Sequence, residues 1–166
     1  PAKHLESDGD SLRLYCDMNV YNRCFDDQSQ LRIRLETAAI EGIFVLAEIG
    51  KLTLAWSFML DYENSLNPHD ERKEGVQLLS GLCRDTINPS SEIVALARGI
   101  IKRSKLKPRD AAHLACAEIG GCDYFVTCDD TLIGIFQRSR RKPDLKVKTI
   151  NPVEFISNEG AKYGQG

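Results

Sequence analysis

No part of this 166-residue chain approaches the ~18 consecutive apolar residues of a membrane-spanning helix. Cysteine is present at 16, 24, 83, 116, 122 and 128, but never in a CxxC pair, and the three histidines are scattered. A zinc site therefore has no ligand spacing behind it. The pattern GxxxxGK[ST] is missing, which excludes phosphate-loop nucleotide binding as far as motifs reach. Aromatic residues make up only 7% and form no stacking run, so base-specific reading of a nucleic acid is not implied. Internal repeats and low-complexity tracts are lacking too. The polar amino terminus, PAKHLESDGD, has no apolar core of a secretory signal. It does not begin with Met, so a processed start or an expression remnant is expected.

What remains describes one globular domain. A chain of this length buries about 70% of the surface it exposes when unfolded, and 42% hydrophobic residues suffice for a core without disulfides or a structural metal. Charged residues, at 28%, are ordinary for a folded protein. Several cysteines sit inside apolar runs, where Cys acts as a small hydrophobe, and a reducing, cytoplasmic compartment is expected. The net charge of −2 is unevenly spread. Residues 1–97 hold 9 basic and 16 acidic residues, whereas 98–148 hold 12 basic and 6 acidic. The basic clusters RGIIKRSKLKPR (98–109) and RSRRK (138–142) would suit a polyanionic partner, although taken alone they are better explained as a solvated helix face and loop.

Apolar runs at LRLYC (12–16), LTLAWSF (52–58), YFVT (124–127) and LKVKTI (145–150) read as buried strands. Between them, helical patterns span about 29–50, a short stretch around MLDYENS, 70–83, 91–104 and a segment opening at Pro108 that ends at Gly120-Gly121. A short helix follows Asp130, and Asn151-Pro152 opens a terminal one. Strands alternating with helices imply a three-layer α/β/α sandwich around a mostly parallel sheet of four to five strands. The domain is expected over 12–156, after a polar extension (1–11) and before a flexible tail (157–166).

Against this frame, YFVTCDDTL (124–132) ends an apolar strand in two aspartates. Asp is common at strand ends because it hydrogen-bonds nearby backbone N–H groups. In an open parallel sheet, however, the carboxyl ends of the strands face the ligand crevice. Other acids reach the same level. Asp17 closes the first strand. Asp110 lies in the first turn of a helix, RDAAHLACAEIG, that is apolar on most sides. Asp61 and Glu63 both follow the second strand, and spacing does not choose between them. Asp130 reads as the N-cap of the next helix, which leaves Asp129 for the crevice. Packed carboxylates repel one another and hold protons unless cations neutralise them. Hard oxygen ligands suit Mg²⁺ or Mn²⁺. Two such ions can activate a water and stabilise the leaving oxygen in phosphodiester hydrolysis.

Four segments, in order, resemble the PIN-domain family of VapC-like, metal-dependent ribonucleases over roughly residues 12–155. LYCDMNVYNR is similar to the family's opening strand with its Asp-Thr/Ser-Asn signature, carried by Asp17 and Asn19, with Met18 replacing the usual hydroxyl residue. WSFMLDYE resembles the segment bearing the family's Glu, which selects Glu63 over Asp61. RDAAHLACA is similar to its Asp-Ala-x-His-x-Ala helix, matching the acid to Asp110. FVTCDDTL is similar to its Val-Thr-x-Asp-x-x-Leu, matching Thr127 and Asp129. The resemblance implies a catalytic, metal-holding set of Asp17, Glu63, Asp110 and Asp129, supported by Asn19 and Thr127. It also implies frequent homodimers, and in many bacterial members a toxin role with a small antitoxin that inserts into the active site.

The expected function is thus endoribonucleolytic cleavage with Mg²⁺ or Mn²⁺. The flanking cations Arg32, Arg34, Lys105, Lys107, Arg140 and Arg141 are candidates for RNA phosphate contacts, since an acidic pocket repels RNA without positive charge nearby. His113, one turn from Asp110, reads as a helix-packing histidine, and Cys128 is expected to turn away from the crevice. The alternative is a catalytically silent RNA- or protein-binding module of the same fold. An aspartyl-phosphate enzyme ranks last, because Asp17-Met18-Asn19 lacks the second Asp.

Overall fold

In the computed structural model, which describes residues 11–138 and 145–163, five strands form one parallel sheet. β1 (Arg13–Cys16), β2 (Thr53–Ser57), β3 (Asp85–Ile87), β4 (Tyr124–Val126) and β5 (Lys148–Ile150) stand in the order β3-β2-β1-β4-β5. The central strands are continuous apolar runs because both of their faces are covered. Leu14, Tyr15, Cys16, Leu54, Ala55, Phe125 and Val126 are fully buried.

The helices are α1 (Met18–Asn22), α2 (Leu31–Glu48), α3 (Phe58–Ser65), α4 (Asp70–Ser80), α5 (Ser91–Arg103), α6 (Pro108–Ile119), α7 (Asp130–Arg138) and α8 (Pro152–Glu159). The chain steps from β1 to β2 to β3 in one direction, then crosses to β4 and β5 in the other. Right-handed crossovers therefore place the helices of the two halves on opposite faces. α2 packs on α8, and α5 on α6. Helix starts follow local chemistry. The Ser57 and Ser90 hydroxyls accept from Leu60 N–H and Ile93 N–H, and Pro108 opens α6 where its missing N–H costs nothing. Gly121 takes φ +71°, a left-handed conformation that residues with a Cβ rarely adopt, and redirects the chain from α6 into β4.

Among the described residues, β3 and α1 were not foreseen. β3 has three residues, two of them exposed, so this edge strand carries no apolar alternation for a sequence to display. α1 follows directly on β1, and five residues are too few for a helical period. Towards the carboxyl end, α8 passes residue 156 to Glu159 and a 3₁₀ turn covers Gly160–Lys162. The Tyr124 hydroxyl donates to Glu159 there. Residues 157–163 of the expected tail are therefore helical or in a turn.

Candidate active site

The sheet reverses its order between β1 and β4, and ligand crevices open at such switch points, beyond the carboxyl ends of the strands. Asp17 and Thr127 leave the sheet side by side there. The Asp17 N–H donates to the Val126 carbonyl (2.9 Å), and the Thr127 N–H to that of Ile150 (3.0 Å). Asp17 caps α1, its Oδ1 accepting from Met18 N–H at 2.8 Å. Its Oδ2 accepts from the Thr127 hydroxyl (2.8 Å) and from the Asn19 amide (3.2 Å). Asn19 also donates to Thr127 Oγ1 (3.0 Å) and accepts from Cys128 N–H (3.0 Å), and Asp129 N–H donates to Thr127 Oγ1 at 3.1 Å. Asn19 and Thr127 thus tie the loop after β1 to the loop after β4. Met18, in place of a hydroxyl residue, is buried in the core.

α3 delivers Glu63. Asp61, two residues earlier, instead accepts from the Trp56 indole N–H at 2.6 Å. Glu63 Oε1 lies 2.6 Å from His113 Nε2, and His113 Nδ1 lies 2.6 Å from the Tyr15 hydroxyl. That hydroxyl is in turn 2.6 Å from Ser57 Oγ. Ligand atoms of Asp17, Glu63 and His113 all fall within 4.8 Å of one another. His113 packs inside the helix layer as its sequence context suggests, with no exposed surface, yet both ring nitrogens are also bonded toward the site. Tyr15 and Ser57 were not foreseen. The signal was alternation: Tyr15 precedes Asp17 by two residues, but Tyr15 and Ser57 both lie inside apolar runs that read as core.

Asp110 is half-buried in the first turn of α6. Asp129, not Asp130, caps α7: its Oδ1 accepts from Leu132 N–H at 3.1 Å, while Asp130 pairs with Arg32 at 2.8 Å. The cap assignment expected from the sequence is thus reversed, because the chain bends into helix one residue earlier. Asp129 and Asp110 stand outside the close group of Asp17, Glu63 and His113.

Electrostatics nevertheless link all four acids. Burial pushes the Asp17 carboxyl up to about 6; His113 and the Thr127 hydroxyl oppose the rise and the Glu63 charge adds to it. Asp110 is also raised, first by burial and then by repulsion from Asp129 and, more weakly, from Glu63. A set of oxygen donors whose members hold protons through burial and mutual repulsion fits a hard divalent cation, which would relieve both.

Of the expected phosphate contacts, Arg32 is already engaged. It bonds Asp130, reaches Glu36 at 3.5 Å and donates to the Cys128 carbonyl at 3.3 Å. Arg34, Lys105 and Lys107 are exposed. Lys105 lines a cavity of about 460 Å³ with Arg103, Ser104, Ile135 and Arg138. Arg140 and Arg141 lie outside the described residues. Among those residues no helix is long and apolar enough to cross a membrane, and all six cysteines are free.

Fold and site together define a three-layer α/β protein with a carboxylate cluster at the switch point of a parallel sheet. Residues 15–135 match the family described as PIN domain. The chain belongs to the PIN-domain family, whose members are generally nucleases. It is similar to a chain in the crystal structure of VapBC2 from Rickettsia felis bound to a DNA fragment from the promoter of that pair. The TM-score is 0.56, with 12% identity, over 84% of this chain and 98% of that one, a likeness of fold. Among curated proteins none matches.

Proposed function

We propose that the protein is a metal-dependent endoribonuclease, with Asp17, Glu63, Asp110 and Asp129 holding Mg²⁺ or Mn²⁺ at the carboxyl edge of the sheet. One observation carries the reading. Asp17 is 6% exposed, beside the Glu63 carboxylate, at the switch point of the sheet. Two acids so placed are costly without a cation. A bound divalent ion would supply charge neutralisation at the phosphodiester and acidify a water. This chain's residues do the rest. Asn19 and Thr127 hold Asp17 and the Asp129 loop in register, and Arg109, whose Nε lies 3.9 Å from Glu63, adds positive charge where a phosphate would arrive. Arg34, Lys105 and Lys107 are the exposed cations left to contact the RNA backbone, with Arg140 and Arg141 beyond them in sequence.

The likeness to the VapBC2 structure supports a toxin role with a small antitoxin partner, and a homodimer is proposed on the same family grounds. Six free cysteines are consistent with a reducing, cytoplasmic setting. The test is cleavage of a mixed RNA pool with and without Mn²⁺ by the wild type and by Asp110→Asn purified in parallel. Metal-dependent cutting by the wild type alone is expected. Equal cutting by both would overturn the assignment, and equal silence would favour a binding module.

A further inference from the structure

We propose that His113 is a positioning residue for Glu63, fixed from behind by Tyr15 and Ser57, and is not itself a metal ligand. The inference rests on the metal-centre reading above. His113, Glu63 and Asp17 lie close enough for all three to ligate one ion, so position alone leaves two roles open for the histidine. The hydrogen bonds favour one. His113 Nε2 already meets Glu63 Oε1 at 2.6 Å and Nδ1 meets the Tyr15 hydroxyl at 2.6 Å, so both ring nitrogens are used before any ion arrives.

The contacts run without a break from β2 to the site. The Leu60 backbone N–H donates to Ser57 Oγ at 3.1 Å. The Ser57 and Tyr15 hydroxyls share a hydrogen bond, Tyr15 shares the next with His113 Nδ1, and His113 Nε2 meets the Glu63 carboxylate. Each hydroxyl and each ring nitrogen has a partner, in a site where Tyr15, Ser57 and His113 have no exposed surface. Burial also holds the Tyr15 phenol far above its usual range, so it stays a donor at any working pH.

The effect falls on Glu63. Its Oε1 is held by His113, while Oε2 has no hydrogen-bond partner among the described residues. One oxygen is anchored and the other is left for a cation. The anchoring group belongs to the same helix as Asp110, so α6 sets two of the four acids, one directly and one through His113.

The experiment is Mn²⁺ binding to the full chain without RNA, by calorimetry and by electron spin-echo spectroscopy, for wild type, His113→Leu, His113→Gln and Tyr15→Phe. The wild type is expected to bind Mn²⁺ with no directly coordinated nitrogen. His113→Leu should lose ~10–100-fold in affinity, the usual effect of removing a group that orients a metal ligand. His113→Gln, which keeps an N–H donor, should recover part of that loss. Tyr15→Phe should weaken binding in the same direction, with a native circular dichroism spectrum. Should His113→Leu fail to fold, the other two variants carry the test. A directly coordinated imidazole nitrogen would overturn the proposal, as would unchanged affinity in all three variants. Wild type that binds no Mn²⁺ at all would overturn the metal-centre reading and this inference with it, a result distinct from either of the others.

Discussion

The Thr127 hydroxyl donates to Asp17 Oδ2 at 2.8 Å while accepting from the Asp129 N–H at 3.1 Å, so one side chain spans the gap between β1 and β4. Removing it would leave a buried carboxylate oxygen with only the longer Asn19 bond. Thr127→Val should therefore destabilise the metal-free protein by about 1–2 kcal/mol, the cost of stripping a partner from a buried polar group. Thr127→Ser, which keeps the hydroxyl, should stay within about 0.5 kcal/mol. Urea unfolding in EDTA measures both. Equal stability of the two variants would show that the bond does not hold the loops.

Asp61 and Glu63 are two residues apart and face different partners. Trp56 is the sole tryptophan, and its indole N–H is bonded to Asp61. Asp61→Asn should shift the emission of Trp56 while leaving divalent-dependent RNA cleavage within a few-fold of wild type. Glu63→Gln should do the reverse, abolishing cleavage with Trp56 emission unchanged. Cleavage lost in Asp61→Asn and kept in Glu63→Gln would exchange the two roles.

The layered α/β fold is legible because its signals are repeated: four apolar runs at strand length, separated by helical periods, leave few topologies. The positions of Asp17 and Asp129 just past their strands are legible for a similar reason, since each follows an apolar run, whereas the choice of Glu63 over Asp61 comes from the family resemblance alone. β3 escapes because an exposed three-residue edge strand is held by backbone bonds to β2, to which composition does not speak. The Tyr15–His113–Glu63 chain escapes for another reason. Tyr15, Ser57 and His113 come from β1, β2 and α6, and each lies in a run whose burial is explained by packing alone. Only their convergence in space distinguishes a satisfied core residue from one that orients a carboxylate. Asp129 and Asp130 show the limit of local capping rules, because adjacent aspartates compete for one cap and a contact with distant Arg32 settles which side chain is free to take it.

Arg32 and Arg34 are two residues apart, and both carry expected roles toward RNA. Arg32 supports Glu36, which is 2% exposed and also held by Arg23 at 3.2 Å and by the Asn151 amide at 2.6 Å. Arg32→Ala removes one of three partners of a buried charge and one anchor of the Cys128–Asp130 loop. It should cost about 1 kcal/mol in unfolding free energy, since Arg32 is more than half exposed. Arg34→Ala should leave stability within about 0.5 kcal/mol. If Arg34 meets a phosphate, this variant should lower the salt dependence of RNA affinity by about one counterion. Affinity titrations across salt concentrations, beside thermal melts, separate the two. Stability loss in Arg34→Ala rather than Arg32→Ala would contradict the network.

The raised Asp17 carboxyl makes the stability of the metal-free protein depend on pH in a definite direction. Unfolded, Asp17 titrates near 3.8; folded, burial lifts it to about 6, against the opposition of His113 and Thr127. Between those values the folded state holds more protons than the unfolded one, so stability falls as pH rises through the window. The penalty is absent below about pH 4 and complete above about pH 6.5, and the rise from 3.8 to about 6 corresponds to roughly 3 kcal/mol. Asp17→Asn carries no such charge, so in EDTA the wild type should lose stability relative to this variant across the window. Mn²⁺ competes with the proton for the same oxygens. Its stabilising effect on the wild type should therefore be small at pH 4.5, grow through pH 6 and level off near pH 7, while Asp17→Asn gains far less throughout. Thermal melts of both proteins at half-unit pH steps, with EDTA and with Mn²⁺, provide the measurement. Parallel pH curves for the two proteins in EDTA would mean that Asp17 is ionised without cost and that the buried site does not need a cation.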